Sequence, residues 1–211
     1  TINGIVAEMG TKISLDDIIA VDGEKISKKN IKKLYIIFNK PKGIVCTTDS
    51  GVEKDNIIDY INHPQRIFPI GRLDKTSEGL IFLTNDGDIV NKILRAKNKH
   101  EKEYYVSVDK PINSDFIKKM SNGIPILNTV TRKCEVKFVK DYEFKITLTQ
   151  GLNRQIRRMC ESLGYRVKKL KRIRIMNIKI DVPIGQWRYF SNEELSDLKN
   201  LLSNSTSNYG S

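Results

Sequence analysis

At 211 residues the chain is long enough for one substantial domain with a small appendage, and with 39% hydrophobic residues it can build a real core. Its 37 Lys+Arg against 25 Asp+Glu leave a net charge of +12, which argues for a polyanionic partner, nucleic acid before any membrane. No apolar run approaches the roughly 18 residues that span a bilayer, no signal-peptide core opens the chain, and Cys46, Cys134 and Cys160 lie too far apart for a disulfide framework or a zinc knuckle. A cytoplasmic protein without a metal or cofactor is expected.

Residues 1–30 predict short strands with glycine-containing turns and too little apolar surface to fold alone, and residues 27–30 predict a charged linker. "LYIIFN" from Leu34 predicts a buried strand closed by the turn "KPKG". Next comes "GRLDKTSEGLIFLTNDGD", residues 71–88: a loop carrying Asp74, an apolar strand, then a turn that caps a helix over about 88–96. "YYVSV" from Tyr104 predicts another strand, with one tyrosine facing in and one out. Ser114 is expected to cap a helix bearing Phe116, Ile117 and Met120, with Gly123 just past its end. Alternation at Cys134, Val136 and Phe138, then at Tyr142, Phe144, Ile146 and Leu148, predicts a hairpin turning at Lys140-Asp141. A helix over about 153–163 puts Ile156, Met159, Cys160 and Leu163 on one face. Ser191 and Glu194 form a capping box before a last helix, and a Ser/Asn-rich tail follows from Ser203. Hairpins outnumber βαβ units, so the fold class is α+β with a largely antiparallel mixed sheet.

The positive charge is concentrated. Residues 154–174 hold Arg154, Arg157, Arg158, Arg166, Lys168, Lys169, Lys171, Arg172 and Arg174 against the single acid Glu161, a pattern expected of a phosphate track. Lys97, Lys99 and Lys102 extend the field toward Tyr104 and Tyr105. Asp74 itself allows two readings. One is an exposed ion pair on a loop; the other is a reactive carboxylate kept ionised by a nearby cation.

"NKPKG", "GRLDKTSEGLIFLTNDGD", "EKEYYV" and "GLNRQIRRM", in that order and spacing, resemble the RsuA-like branch of the RNA pseudouridine synthases, over roughly residues 34–200. "GLNRQIRRMCESLGY" with "VKKLKRIRIMNI" is most similar to the type within that branch that modifies large-subunit ribosomal RNA. The opening "TINGIVAEMGTKISLDDIIAVDG" is similar to the second half of an S4 RNA-binding domain; without a counterpart of that domain's helical first half, it is expected to add little to RNA binding.

The resemblance implies a partial S4-like domain over 1–30, a pseudouridine synthase catalytic domain over 31–203 with flanking helices and a central cleft, and a disordered tail over 204–211. It implies an isomerase needing no cofactor, with 23S rRNA as the expected substrate, tRNA as a possible second one, and a monomer at work. Asp74 is implied as the catalytic carboxylate, Tyr104 as the ring stacking on the target base, and Arg157 as the cation paired with Asp74. Ile156 is implied as apolar packing at the base, and Arg72 and Lys40 as nearby support. Arg154, Arg158, Lys168, Lys169 and Arg172 are expected to bind substrate along the basic track. Glu78 stands where other branches often carry a small residue, a difference expected to bear on substrate choice.

Overall fold

In a computed structural model, the described residues are all except 9, 12, 15, 27–31, 50, 52, 96–97 and 204–211. The expected linker at 27–30, the tail at 204–211 and Lys97 lie outside them. Two compact units are present, Thr1–Lys33 and Leu34–Ser211. In the first, β1 (Ala20–Val21) and β2 (Glu24–Lys25) form a minimal hairpin. Its turn is Asp22-Gly23, both at positive φ, the backbone that a two-residue hairpin loop demands. Ile2 bridges to Ile5 and Ile19, while Ile5, Val6, Ile18, Val21 and Ile26 remain exposed.

The second unit opens with β3 (Tyr35–Lys40), buried at every position. Helix α1 (Ile57–Ile61) follows; Asn56 caps it by accepting from the Ile58 and Asp59 amides. β4 (Phe68–Ile70), the fully buried β5 (Glu78–Thr84), α2 (Gly87–Leu94), capped by Asp86, and β6 (Lys102–Val108) come next. Helix α3 (Ser114–Asn122) is capped by Asn113, whose side chain accepts from the Phe116 amide, so the cap lies one residue before the expected one, Ser114. β7 (Pro125–Ile126) and β8 (Thr129–Val130) make a small hairpin, and β9 (Glu135–Lys140) and β10 (Glu143–Leu148) the larger one. Then come α4 (Gln155–Ser162), β11 (Val167–Ile175), β12 (Ile178–Lys179), β13 (Trp187–Tyr189) and α5 (Asn192–Leu202), the last with the expected capping box at Ser191 and Glu194. No helix among the described residues is long and apolar enough to cross a membrane.

The main sheet runs β13-β3-β5-β11-β6-β10-β9, with β4 on β5 and β12 on β11. Every pair is antiparallel except β5 with β11, in keeping with the largely antiparallel mixed sheet expected. Alternation along β3 and β5 divides the apolar side chains. Tyr35, Ile37, Leu80 and Phe82 pack with Ile89 and Ile93 of α2 and Leu198 and Leu202 of α5. Ile36, Phe38, Ile81 and Leu83 pack with Ile57 and Ile61 of α1 and with Leu73. A further cluster joins Val106, Phe144 and Ile146 to Phe116 and Met120 of α3 and Ile156 and Met159 of α4. Phe138, which alternation would turn inward with Val136, is 55% exposed, because β9 is the end strand and its far part lies beyond the covered face.

Tyr104 packs against both of the last two clusters, so it stands where they meet. Register then aligns a lateral row: Lys40 of β3 beside Gly79 of β5, Gly79 beside Arg172 of β11, and Arg172 beside Tyr104 of β6. Gly79 is required there. Its φ is +110°, and a Cβ would lie 2.3 Å from the Arg172 carbonyl oxygen and 2.7 Å from its nitrogen.

Candidate active site

Asp74 lies in the loop between β4 and β5. The loop is pinned from three sides. Buried Leu73 donates its amide to the Cys46 sulfur at 3.3 Å, the Lys75 carbonyl accepts from the Gly43 amide at 2.8 Å, and the Asp74 carbonyl accepts from the Ser77 amide at 3.0 Å. The "KPKG" turn therefore abuts the aspartate loop. Lys40 organises that turn. It is completely buried, and its ammonium donates to the carbonyls of Pro41 at 2.9 Å and Ile44 at 2.7 Å. Burial pushes its pKa down, while the nearby Cys46, Asp74 and Glu78 pull the other way.

Two guanidiniums face the carboxylate. Arg157 Nε stands 3.7 Å and Arg154 Nη1 3.9 Å from Asp74 Oδ2. Both are ion-pair distances, too long for hydrogen bonds. Arg157 is buried and fixed by its other nitrogens: Nη2 donates to Ser77 Oγ at 3.1 Å and to the Thr76 carbonyl at 3.3 Å, and Nη1 reaches the Val167 carbonyl at 3.5 Å. Its Nε has no hydrogen-bond partner among the described residues. Burial and the charge of Arg154 push the Arg157 pKa below its usual value, and Asp74 opposes them. Arg154 is the N-cap of α4 in the left-handed region, φ 49° and ψ 33°, with no side-chain cap bond. A non-glycine residue there stores strain, of the kind that clusters at functional sites. The side chain of Asp74 stays 34% exposed. Among the described residues the carboxylate is thus held by charge without a hydrogen bond, and it stays partly open to an incoming group.

Tyr104 is the inward tyrosine: half-buried between two core clusters, with the Arg172 guanidinium carbon 6.0 Å from its ring centre. Tyr105 turns away, and its hydroxyl donates to the Glu143 carboxylate. Ile156 is 4% exposed, inside the core with Met159 and Cys160, so it backs the site from within and offers no open surface to a base. Arg72 is exposed on the same loop.

The basic track over 154–174 is broken by the fold. Arg154, Lys168 and Lys169 are exposed as expected, with Lys169 3.4 Å from Glu78. Arg158 folds back on Asn153. Arg174 is committed to Glu101 and Glu103. Arg172 corrects the expectation outright. It is 3% exposed and donates from Nε to the Leu80 carbonyl at 2.6 Å, so it is no outward phosphate contact. Alternation along β11 turns some of these cations inward, a fact that a run of basic letters conceals.

Sequence reasoning passed over three neighbours of the site. Cys46 supports the aspartate loop, yet nothing distinguishes it in the sequence from a core cysteine. Ser77, buried beside the aspartate, orients Arg157. Lys102, two residues before Tyr104, is largely buried; burial first and the charge of Arg172 second push it down to about 8. A lysine with a depressed folded pKa binds its proton less well than in the unfolded chain, so its stability penalty is full below about 8 and fades as pH rises toward its ordinary value. Lys102→Met is therefore expected to melt above the wild type at pH 7, with the advantage shrinking from pH 8 to 10; thermal melts across that range check it. A constant difference would mean that Lys102 is not buried as a cation.

Among the described residues no three His, Cys, Asp or Glu side chains converge as metal ligands. Residues 34–162, which hold Asp74, Tyr104 and Arg157, match the family model "RNA pseudouridylate synthase". The chain is 57% identical to the dual-specificity RNA pseudouridine synthase RluF of Escherichia coli K12, over 98% of its own length and 71% of that protein. It is 34% identical to the ribosomal large subunit pseudouridine synthase B of Bacillus subtilis, over 81% and 72% of the two chains. A crystal structure of a pseudouridylate synthase superposes with a TM-score of 0.75 at 28% identity, covering 95% of this chain and 87% of that one. A loop aspartate faced by a buried arginine, within a matching fold and sequence, leaves one conclusion: the chain belongs to the RNA pseudouridine synthases, isomerases that convert a uridine of RNA to pseudouridine.

Proposed function

We propose that Asp74 is the catalytic carboxylate, that Arg157 holds it in place, and that Tyr104 stacks on the extruded uracil. The observation that carries this reading is the 3.7 Å approach of Arg157 Nε to Asp74 Oδ2, with Arg157 itself anchored to Ser77 and Thr76 of the aspartate loop. The reaction breaks N1–C1′, turns the uracil and joins C5 to C1′; the C5 proton leaves and N1 gains one, so nothing is oxidised or reduced. An open carboxylate can act as nucleophile or base in that sequence. Extruding the uridine costs a few kcal/mol, offset by stacking on an aromatic ring and by cations along the backbone. Exposed Arg72, Arg154, Lys168 and Lys169 are placed to meet phosphates, with Arg158 beside them, while Lys40 and Ile156 support the site from inside.

The substrates we assign are 23S rRNA, in keeping with the large-subunit naming of the Bacillus subtilis relative, and tRNA as a second class, for which the words "dual-specificity" in the Escherichia coli relative's name leave room without naming it. Residues 1–30, on this reading, are an S4-like segment. Tritium release from C5-labelled uridine tests the assignment. Release is expected from 23S rRNA and from a tRNA pool, and none from small-subunit rRNA. Silence on both expected substrates beside release from small-subunit rRNA would overturn it.

A further inference from the structure

Arg172 has no part in the catalytic reading above, yet it is the residue whose placement costs most. A guanidinium removed from water needs partners, and an apolar side chain of similar volume is usually the cheaper solution. Among the described residues Arg172 has no carboxylate within ion-pair distance. Among the described residues Nε is the one side-chain nitrogen with a hydrogen bond, on the Leu80 carbonyl, and Nη2 is buried with no partner among them. Its neighbours add to the imbalance: Lys40 is wholly buried beside it in the lateral row, and Lys102 lies near enough to feel its charge.

Two contacts give this cation a direction. Through Leu80 it grips β5, the strand that leaves the Asp74 loop. Through its guanidinium face it lies 6.0 Å from the Tyr104 ring centre, at the limit of cation–π attraction. Gly79 makes the first contact possible, because only a residue without Cβ lets the β11 backbone close on β5 at Arg172.

Resting on the assignment of Asp74 and Tyr104 above, we propose that Arg172 is a positioning residue for the isomerisation: it locks the strand behind Asp74 to the ring of Tyr104, and so fixes the distance between carboxylate and base. Its unneutralised charge suits the same task. While the uracil is detached from C1′ its ring carries negative charge, and a fixed cation beside the stacking platform stabilises that state more than the bound uridine.

Arg172→Met and Arg172→Lys test the proposal, beside the wild type and Asp74→Asn, with three readouts: single-turnover tritium release, RNA affinity at one fixed salt concentration, and thermal melting. Arg172→Met is expected to slow the chemical step about 100-fold, the size of loss that misplacing a reacting group by an ångström brings. Its RNA affinity should stay within about threefold of wild type, because phosphate contacts elsewhere supply most of it. Arg172→Lys, which keeps the charge and can still reach a carbonyl, should recover about tenfold of that loss. A merely structural residue would instead lower the melting temperature and leave the folded enzyme turning over at the wild-type rate, and that outcome overturns the proposal. Failure of both variants to fold overturns it as well, since Arg172 would then be needed for the core alone. Asp74→Asn separates the two layers: full release by that variant sinks the catalytic reading itself, whereas its silence beside a wild-type rate in Arg172→Met sinks this inference only.

Discussion

Asp74→Asn is expected to reduce pseudouridine formation to background while leaving RNA affinity near the wild-type value. The substitution keeps the size of the side chain and removes its charge, nucleophilicity and basicity together. The geometry around it makes replacement by a neighbour implausible on distance and charge. The groups nearest the carboxylate are the guanidiniums of Arg157 and Arg154, and neither can act as a base. The buried Lys40 ammonium is spent on the carbonyls of Pro41 and Ile44, and the Cys46 thiol is buried and pushed upward in pKa by that burial. Binding should survive because it draws on exposed cations and on the Tyr104 ring, which Asp74 does not touch in any hydrogen bond. The assay pairs tritium release with an affinity measurement on the same preparation. Appreciable release by the variant would mean that another group carries the chemistry; loss of affinity in parallel would mean that Asp74 contacts the RNA as a structural ligand.

The carboxylate and its partner were legible only through the resemblance carried by "GRLDKTSEGLIFLTNDGD" and "GLNRQIRRM". Local pattern gave their setting, a loop before the apolar strand Leu80 to Leu83 and a short helix with Ile156 on its core face, and left Asp74 open between an exposed ion pair and a reactive carboxylate. Arg172 was not legible. Its burial depends on the bare backbone of Gly79, 93 positions earlier, and on a parallel contact confined to two residue pairs, Lys171 with Glu78 and Arg172 with Gly79. No periodicity reports a pairing between distant strands, so a basic run on an inner strand reads like one on a surface. Helix α1 escaped for a different reason: five residues are too few to show a period, and its stability comes from the Asn56 cap and from burying Ile57 and Ile61. At α3 the sequence Asn113-Ser114-Asp115 offers three capping residues in a row, and only the geometry selects the first.

Arg157→Ala is expected to cut the chemical step by about 100- to 1,000-fold, the range seen when one fixed electrostatic partner of a reacting group is removed. Were both partners buried, a carboxylate stripped of its cation would cost about 3–5 kcal/mol of stability. The structure supports only half of that. Arg157 is buried, but the Asp74 side chain is 34% exposed and 3.7 Å away, so water can replace much of what the cation supplied. The stability loss should come instead from the bonds to Ser77 Oγ and the Thr76 carbonyl, about 1–3 kcal/mol on the scale of hydrogen bonds made by a charged group. Those bonds tie α4 to the aspartate loop, so their loss frees the loop as well as the charge. Among the described residues Arg154 would remain as the only guanidinium within ion-pair reach of Asp74, 3.9 Å away on an exposed side chain. Arg157→Lys separates the two contributions: a lysine can restore charge near Asp74 but cannot hold Ser77 and Thr76 through a planar fork. It should therefore regain part of the rate and little of the melting temperature. Equal recovery of both would place Arg157's weight in packing, and a wild-type rate in Arg157→Ala would transfer the role of the cation to Arg154.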